Sequence, residues 1–387
     1  RKLIEITRHF WAKEFTPREL VSASYVKYPA IKNHGEITKI GFFTHVIDDT
    51  HSKLIDPLFR SIGPEGRKRF VDKLGGIAGP LIYHEQIFEG TNREKIHLHC
   101  YGTYLNSDFY IQSHYRGDGL ALQQVQAMAA RAAKEKMSFV GLGQYTSIVT
   151  HNGLLLRRSG LPLTTGNGLT AGYAHEAIVQ LLKESGKTLA DVRIGVVGAA
   201  GNICNVVTQI LADDARDLLL VFREGTEDSP KAKEAYQAIL KNSKIDSSAL
   251  QVTDQLSQLT TCDIVVVGTN SPQSVIFPEH LKENAIIMDV SVPTNIDSRV
   301  FSERKDVRCY QGGRAKLPLE QSLKSDWLPT PAGETYACMG ETIAAGLLGY
   351  SQNLSIGTLQ KSTVFQTLEM AKKVGIGMGT LKRITRI

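Results

Sequence analysis

The stretch Arg193-Ile-Gly-Val-Val-Gly-Ala-Ala-Gly-Asn-Ile-Cys204 decides how this chain is read. Ile194, Val196 and Val197 make a short apolar run suited to a buried strand, Gly198 and Gly201 bracket a turn, and Asn205, Val206, Val207, Ile210 and Leu211 continue as a helix with an apolar face. Such a turn lets backbone N–H groups and the positive end of the helix dipole approach a pyrophosphate, which makes Gly198, Ala199, Ala200, Gly201, Asn202 and Ile203 candidate cofactor contacts. The usual third glycine is replaced by Cys204, and Gly pairs after strands also occur as plain turns.

Working outward, the rhythm is βαβ. Asp217–Phe222 reads as the next strand and ends in Arg223, 22 residues after Gly201. An acidic residue near that position would hold a ribose 2′-hydroxyl; an Arg favours a 2′-phosphate, hence NADPH, although Glu224 beside it weakens the preference. Ser229-Pro230 opens a helix, and strands follow at 250–253, 263–268, 285–289 and 307–310. Gly268 and Asp289 close two of these apolar runs and join the candidate cofactor contacts. The fold class expected is α/β, a Rossmann-type doubly wound parallel sheet beside a mixed α/β substrate domain completed by C-terminal helices.

The bulk numbers agree with a globular protein of two or three domains: 387 residues, 42% of them hydrophobic. A net charge of +6 suits a phosphorylated ligand or ordinary solubility equally. Five scattered cysteines without CxxC spacing exclude a disulfide framework and a Cys-rich zinc site, so a reducing, cytoplasmic setting is expected. No apolar run reaches the ~18 residues of a membrane helix, and no signal peptide is visible. Residues 1–37 interleave basic and aromatic side chains, with Thr16-Pro17 as a helix start, but carry no nucleic-acid motif; they read as a linker or the tail of a preceding domain. A chain opening at Arg1 suggests a segment cut from a longer polypeptide.

Between 38 and 165 the pattern gives a strand at 38–48, a helix through Leu54–Phe59, a basic solvated face from Arg60 to Lys73, and a hairpin of Leu81–Phe88 and Lys95–Tyr104. His97 and His99 alternate on one side of that second strand; with no third ligand in view they read as ordinary strand positions, and no metal site is expected. A helix spans Leu120–Lys136, and Phe139–Val149 reads as one buried strand. Thr165 and Asn167 stand in a polar loop before the helix Leu169–Lys183, as caps or as ligand contacts. After a breaker-rich loop, Cys338 lies near a helix N-terminus, where the dipole favours a thiolate; it is the candidate nucleophile. Glu341, one turn on, could assist proton transfer, cap a helix or sit at the surface. No GxSxG, HExxH or P-loop occurs.

The succession Leu142–Val149, Leu163–Asn167, Val196–Ile203, Ile287–Asn295 and Tyr336–Glu341, in register over roughly residues 38 to 380, resembles the long-chain acyl-[acyl carrier protein] reductases that make fatty aldehydes. The resemblance implies NADPH dependence, an acyl carrier protein or acyl-CoA partner, and Cys338 as the residue that takes the acyl group as a thioester. It departs at Cys204 and at Val290-Ser291-Val292, and leaves residues 1–37 unmatched, consistent with fused or neighbouring domains in a larger polypeptide. The expected organisation is 1–37 linker or tail, 38–165 substrate domain, 166–325 NADP-binding domain, and 326–387 C-terminal helices returning to the substrate domain with the catalytic Cys. The competing readings are an NADP oxidoreductase of the shikimate dehydrogenase or glutamyl-tRNA reductase type, and a non-catalytic cofactor-binding module.

Overall fold

The computed structural model describes residues 37–384 except 57, 75–78, 92–93, 272 and 319–327; the helix start expected at Thr16-Pro17 lies outside the described residues. The chain builds two large sheets and one small one.

The first sheet contains β1 (Thr38–Phe43), β2 (Leu81–Glu89), β3 (Lys95–Gly102), β4 (Phe139–Leu142) and β5 (Leu163–Thr164), in the order β2-β3-β1-β4-β5. All pairs are parallel except the edge hairpin β2–β3. Helices α1 (Asp49–Ile55), α2 (Leu58–Ser61) and α3 (Pro64–Leu74) fall between β1 and β2; α4 (Ser107–Arg116) and α5 (Leu120–Lys134) lie between β3 and β4, and α6 (Tyr145–Val149) between β4 and β5. Two expectations are corrected here. The apolar run Phe139–Val149 is not one strand: the Thr146 N–H and hydroxyl both donate to the Gly143 carbonyl, at 3.1 and 2.6 Å, so the chain turns and α6 begins. The basic run Arg60–Lys73 is not wholly a solvated face either. Arg67 is buried and donates to the Asp49 carboxylate and to the Phe59 and Ile62 carbonyls, tying α1 to the segments around it.

The second sheet holds β6 (Arg193–Val197), β7 (Asp217–Val221), β8 (Leu250–Thr253), β9 (Ile264–Val267), β10 (Ile286–Asp289) and β11 (Arg308–Gln311), all parallel. Their order, β11-β10-β9-β6-β7-β8, is the 3-2-1-4-5-6 arrangement of dinucleotide-binding sheets, with its switch point between β6 and β9. Successive strand residues enter cores on opposite faces: Val196, Leu218, Leu220 and Val266 on one, Val197, Leu219, Val265 and Val267 on the other. Burial on both faces is why these strands read as unbroken apolar runs. The associated helices are α7 (Asn167–Glu184), α8 (Asn202–Leu211), α9 (Pro230–Asn242) and α10 (Ser298–Glu303).

The third sheet is antiparallel and joins β12 (Arg314–Lys316) to β13 (Glu334–Tyr336) and β14 (Gly377–Met378). From β13 the chain passes directly into α11 (Ala337–Leu347), then α12 (Lys361–Lys373). Helix α7 serves two cores: Ala171, Ala174 and Ile178 pack with the second sheet, while Leu169 and Tyr173 pack with α11 and the first. Helix α12 does the same through Val364 on one side and Met370 and Ala371 on the other. Between the large sheets opens a cleft of about 1630 Å³, larger than an ordinary single-ligand pocket.

Candidate functional site

The cofactor half of the cleft is built at the switch point. Gly198 follows β6 with φ +83°, and a Cβ there would stand 2.4 Å from the Gly268 carbonyl oxygen at the end of β9, so the turn requires glycine on steric and conformational grounds. The Gly201 N–H closes the turn on the Gly198 carbonyl at 2.7 Å. Helix α8 then starts at Asn202 with no side-chain cap, which leaves its first N–H groups for an anion. The replaced glycine causes no displaced helix start. The Cys204 thiol is buried, donates weakly to the Val197 and Gly268 carbonyls, and occupies the space left by the missing Gly268 side chain. Arg223 stands beyond β7 on the cleft wall, its guanidinium 3.5 Å from the Tyr115 hydroxyl. These residues fit a phosphorylated dinucleotide: a tight turn, an uncapped helix start and a cation at the end of the second strand.

The other half centres on Cys338, the second residue of α11, which opens on the same cleft. A Cβ at Gly166 (φ +69°) would lie 2.2 Å from the Cys338 Cα, so the loop carrying Thr165 and Asn167 packs directly on the cysteine. Backbone N–H groups of Met339, Cys338 and Gln144 act on the sulfur and favour its thiolate. The helix start does not lower the thiol pKa, as its position in the sequence suggested: burial outweighs the N–H groups, and the nearby Glu341 adds to the rise, to about 12. Gln144 was not foreseen. It stands at φ 52°, ψ −134°, and its side-chain oxygen accepts from the Thr44 hydroxyl at 3.0 Å. No local pattern marks it, because its partners come from the segment just after β1 and from α11.

The remaining candidates sort by where their polar atoms go. Thr165 and Asn167 both line the cleft, with the Thr165 hydroxyl donating to the Ser355 carbonyl at 2.5 Å. Gly198, Ala200, Gly201, Asn202, Ile203, Arg223 and Gly268 line it too. The Asn202 side chain is spent on a clamp, donating to the Gly357 carbonyl and accepting from the Leu359 N–H. Three candidates face elsewhere. Ala199 is buried in the core. Asp289 is buried below the cleft and accepts from the Ser291 and Asn295 N–H groups and the Thr294 hydroxyl, closing the loop after β10; burial pushes its carboxyl up to about 6. Glu341 is neither at the surface nor on the cleft wall: it accepts from the Thr164 hydroxyl and, at 2.7 Å, from the Leu169 N–H, fastening β5 and the first turn of α7 to α11. Away from the cleft, the expectation that His97 and His99 lack a third ligand is also corrected, because Glu85 stands beside both.

Comparison with known proteins bears on the cofactor half. Residues 180–311 match the Shikimate / quinate 5-dehydrogenase family. Aminotransferase PigE of Serratia sp. is 28% identical over 243 residues, covering 61% of this chain and 27% of that protein, so the chain spans about a quarter of that relative's length. The long-chain acyl-[acyl-carrier-protein] reductase of Synechococcus elongatus is 25% identical over 260 residues, 62% of this chain and 70% of that protein. Among solved structures, shikimate 5-dehydrogenase from Listeria monocytogenes is similar at 12% identity and a TM-score of 0.37, over 87% of this chain and 98% of that one. The second sheet has the strand order of nucleotide-binding dehydrogenase sheets, and the family match falls across it. Among the described residues, no helix is long and apolar enough to cross a membrane.

Proposed function

We propose that the chain reduces an acyl thioester to an aldehyde with NADPH, taking the acyl group onto Cys338. The observation that carries this reading is that Cys338 opens on the same cleft as the Gly198–Ile203 turn and Arg223. The resemblance noted in the sequence and the Synechococcus relative's name point the same way. A carrier protein or coenzyme A presenting a phosphopantetheine thioester is the proposed donor.

The Cys338 sulfur attacks the thioester carbonyl; a new C–S bond forms, the donor's C–S bond breaks, and the Cys338 proton leaves on the donor thiol. The carbonyl oxygen becomes an oxyanion in this step and again when the enzyme thioester is reduced. The N–H groups at the α11 start and of Gln144 are the proposed donors to it, with Thr165 and Asn167, which line the same cleft, as second candidates. NADPH, when bound, supplies the hydride. Collapse of the hemithioacetal then breaks the Cys338 C–S bond, frees the aldehyde and returns the sulfur for reprotonation.

A second reading, reversible oxidation of a free alcohol as in shikimate dehydrogenase, is favoured by the match over 180–311. That match ends before Cys338, so it speaks for the cofactor half and leaves the substrate chemistry open. Intact-mass measurement separates the two. After exposure to a fatty acyl-CoA, the wild type gains one acyl mass and loses it on adding NADPH, with aldehyde released. Cys338→Ala gains none and makes no aldehyde, yet still binds NADPH. Aldehyde formation at an undiminished rate by Cys338→Ala overturns the covalent route.

A further inference from the structure

The edge hairpin of the first sheet brings together a group of side chains that the cleft does not use. His97 and His99 stand on one face of β3, two residues apart, and Glu85 of β2 is paired directly opposite His99 in the antiparallel register. One Glu85 oxygen lies 3.6 Å from His99 Nδ1 and the other 3.8 Å from His97 Nε2. Glu135, just past the end of α5, brings a carboxylate oxygen to 3.8 Å from the same His99 Nδ1. The ligand atoms of Glu85, His97 and His99 all fall within 4.8 Å of one another. None of these four residues lines the cleft.

The carboxylate–imidazole spacings of 3.6 and 3.8 Å are too long for hydrogen bonds and close to the separation a shared ion imposes. A tetrahedral ion with bonds of about 2.0–2.1 Å sets its donors ~3.4 Å apart. His99 is 7% exposed, and neither of its ring nitrogens, nor His97 Nε2, has a hydrogen-bond partner among the described residues. Buried imidazole nitrogens left this way are costly unless something occupies the space between them.

We propose that Glu85, His97 and His99 form a binding site for a zinc-class divalent cation, with Glu135 or a water as fourth ligand. Two imidazoles and a carboxylate are a borderline donor set, suited to zinc and cobalt rather than magnesium or calcium. Glu85 is the most exposed of the three, which gives an ion a route in from solvent. An ion here fastens the edge strand β2 to β3, so its role is to fix the sheet margin rather than to take part in chemistry at Cys338.

The test is calorimetric titration of the chelator-treated full chain with zinc chloride, alongside the visible spectrum of the cobalt-loaded protein. The expected results are one zinc per chain, no heat with magnesium chloride, a higher melting temperature with zinc, and tetrahedral cobalt bands without thiolate-to-cobalt charge transfer. Cys338→Ala should keep the full stoichiometry. The His97→Ala/His99→Ala pair should abolish binding, and Glu85→Gln, a milder change at a part-exposed position, should weaken it at least tenfold. If the His pair fails to fold, Glu85→Gln decides. Absence of stoichiometric zinc in the wild type, a thiolate charge-transfer band, or unchanged affinity in Glu85→Gln overturns the proposal.

Discussion

At Cys338 two influences oppose each other, and the outcome sets how the residue works. Three backbone N–H groups favour the thiolate, while burial outweighs them and pushes the thiol up to about 12. Arg223 poses the complementary problem on the cofactor side. It is a surface cation with its guanidinium toward Tyr115, placed at the end of the second strand of the dinucleotide sheet. A 2′-phosphate there gains a charge-assisted, potentially bidentate partner; a 2′-hydroxyl gains little. Arg223→Ala should raise the NADPH dissociation constant by roughly tenfold or more, from loss of about 1.5–3 kcal/mol, and leave that for NADH nearly unchanged. Fluorescence titration with both cofactors checks this; equal weakening of the two removes the 2′-phosphate assignment.

At the scale of elements, the joint among β5, α7 and α11 depends on one buried carboxylate. Helix α7 has glycine at its N-cap and no capping side chain of its own, so Glu341 caps it from another helix by accepting the Leu169 N–H. Glu341→Ala should destabilise the fold by about 3 kcal/mol, since it leaves the Leu169 N–H and Thr164 hydroxyl unsatisfied in the interior. Glu341→Gln, which keeps one acceptor oxygen, should lose about half as much. Urea unfolding reads both. Full stability in Glu341→Ala with collapsed aldehyde formation would return the residue to proton transfer. None of this was legible in sequence, because the partners lie 177 and 172 residues away. By contrast β6, its turn and α8 were legible, since a buried strand, two glycines and an apolar helix face are all local signals. The split of Phe139–Val149 into β4 and α6 was not: both halves are apolar and buried, so no change of polarity marks the turn at Gln144.

At the scale of the whole molecule, α7 and α12 join the two large sheets around the cleft, so the site's geometry rests on how firmly each half is packed. In the first half the chain leaving β1 is locked by His45. Its Nε2 accepts from the Tyr145 N–H at 3.3 Å, which places the proton on Nδ1, donating to the Val46 carbonyl at 2.8 Å. The ring is stacked between Tyr110 of α4 and Tyr145 of α6. Protonation would set a second N–H against the Tyr145 N–H in a fully buried site, and burial accordingly lowers the His45 pKa to about 3. Between that value and the ordinary 6.5, the unfolded chain binds a proton that the folded chain does not. The stabilisation is therefore complete above pH 6.5 and is lost as pH falls, at a slope approaching ~1.4 kcal/mol per pH unit for this one group. His84, also lowered by burial, pushes in the same direction, while Asp289, raised to about 6, opposes them between its ordinary range and that value. Unfolding free energies from urea titrations at pH 7, 6, 5 and 4 should fall steeply for the wild type. In His45→Asn, which keeps polar atoms but cannot take the charge, the slope should be shallower by one proton's worth over the same range. Parallel slopes in the two proteins would mean that His45 is protonated in the folded state, and that the Tyr145 contact does not fix its tautomer.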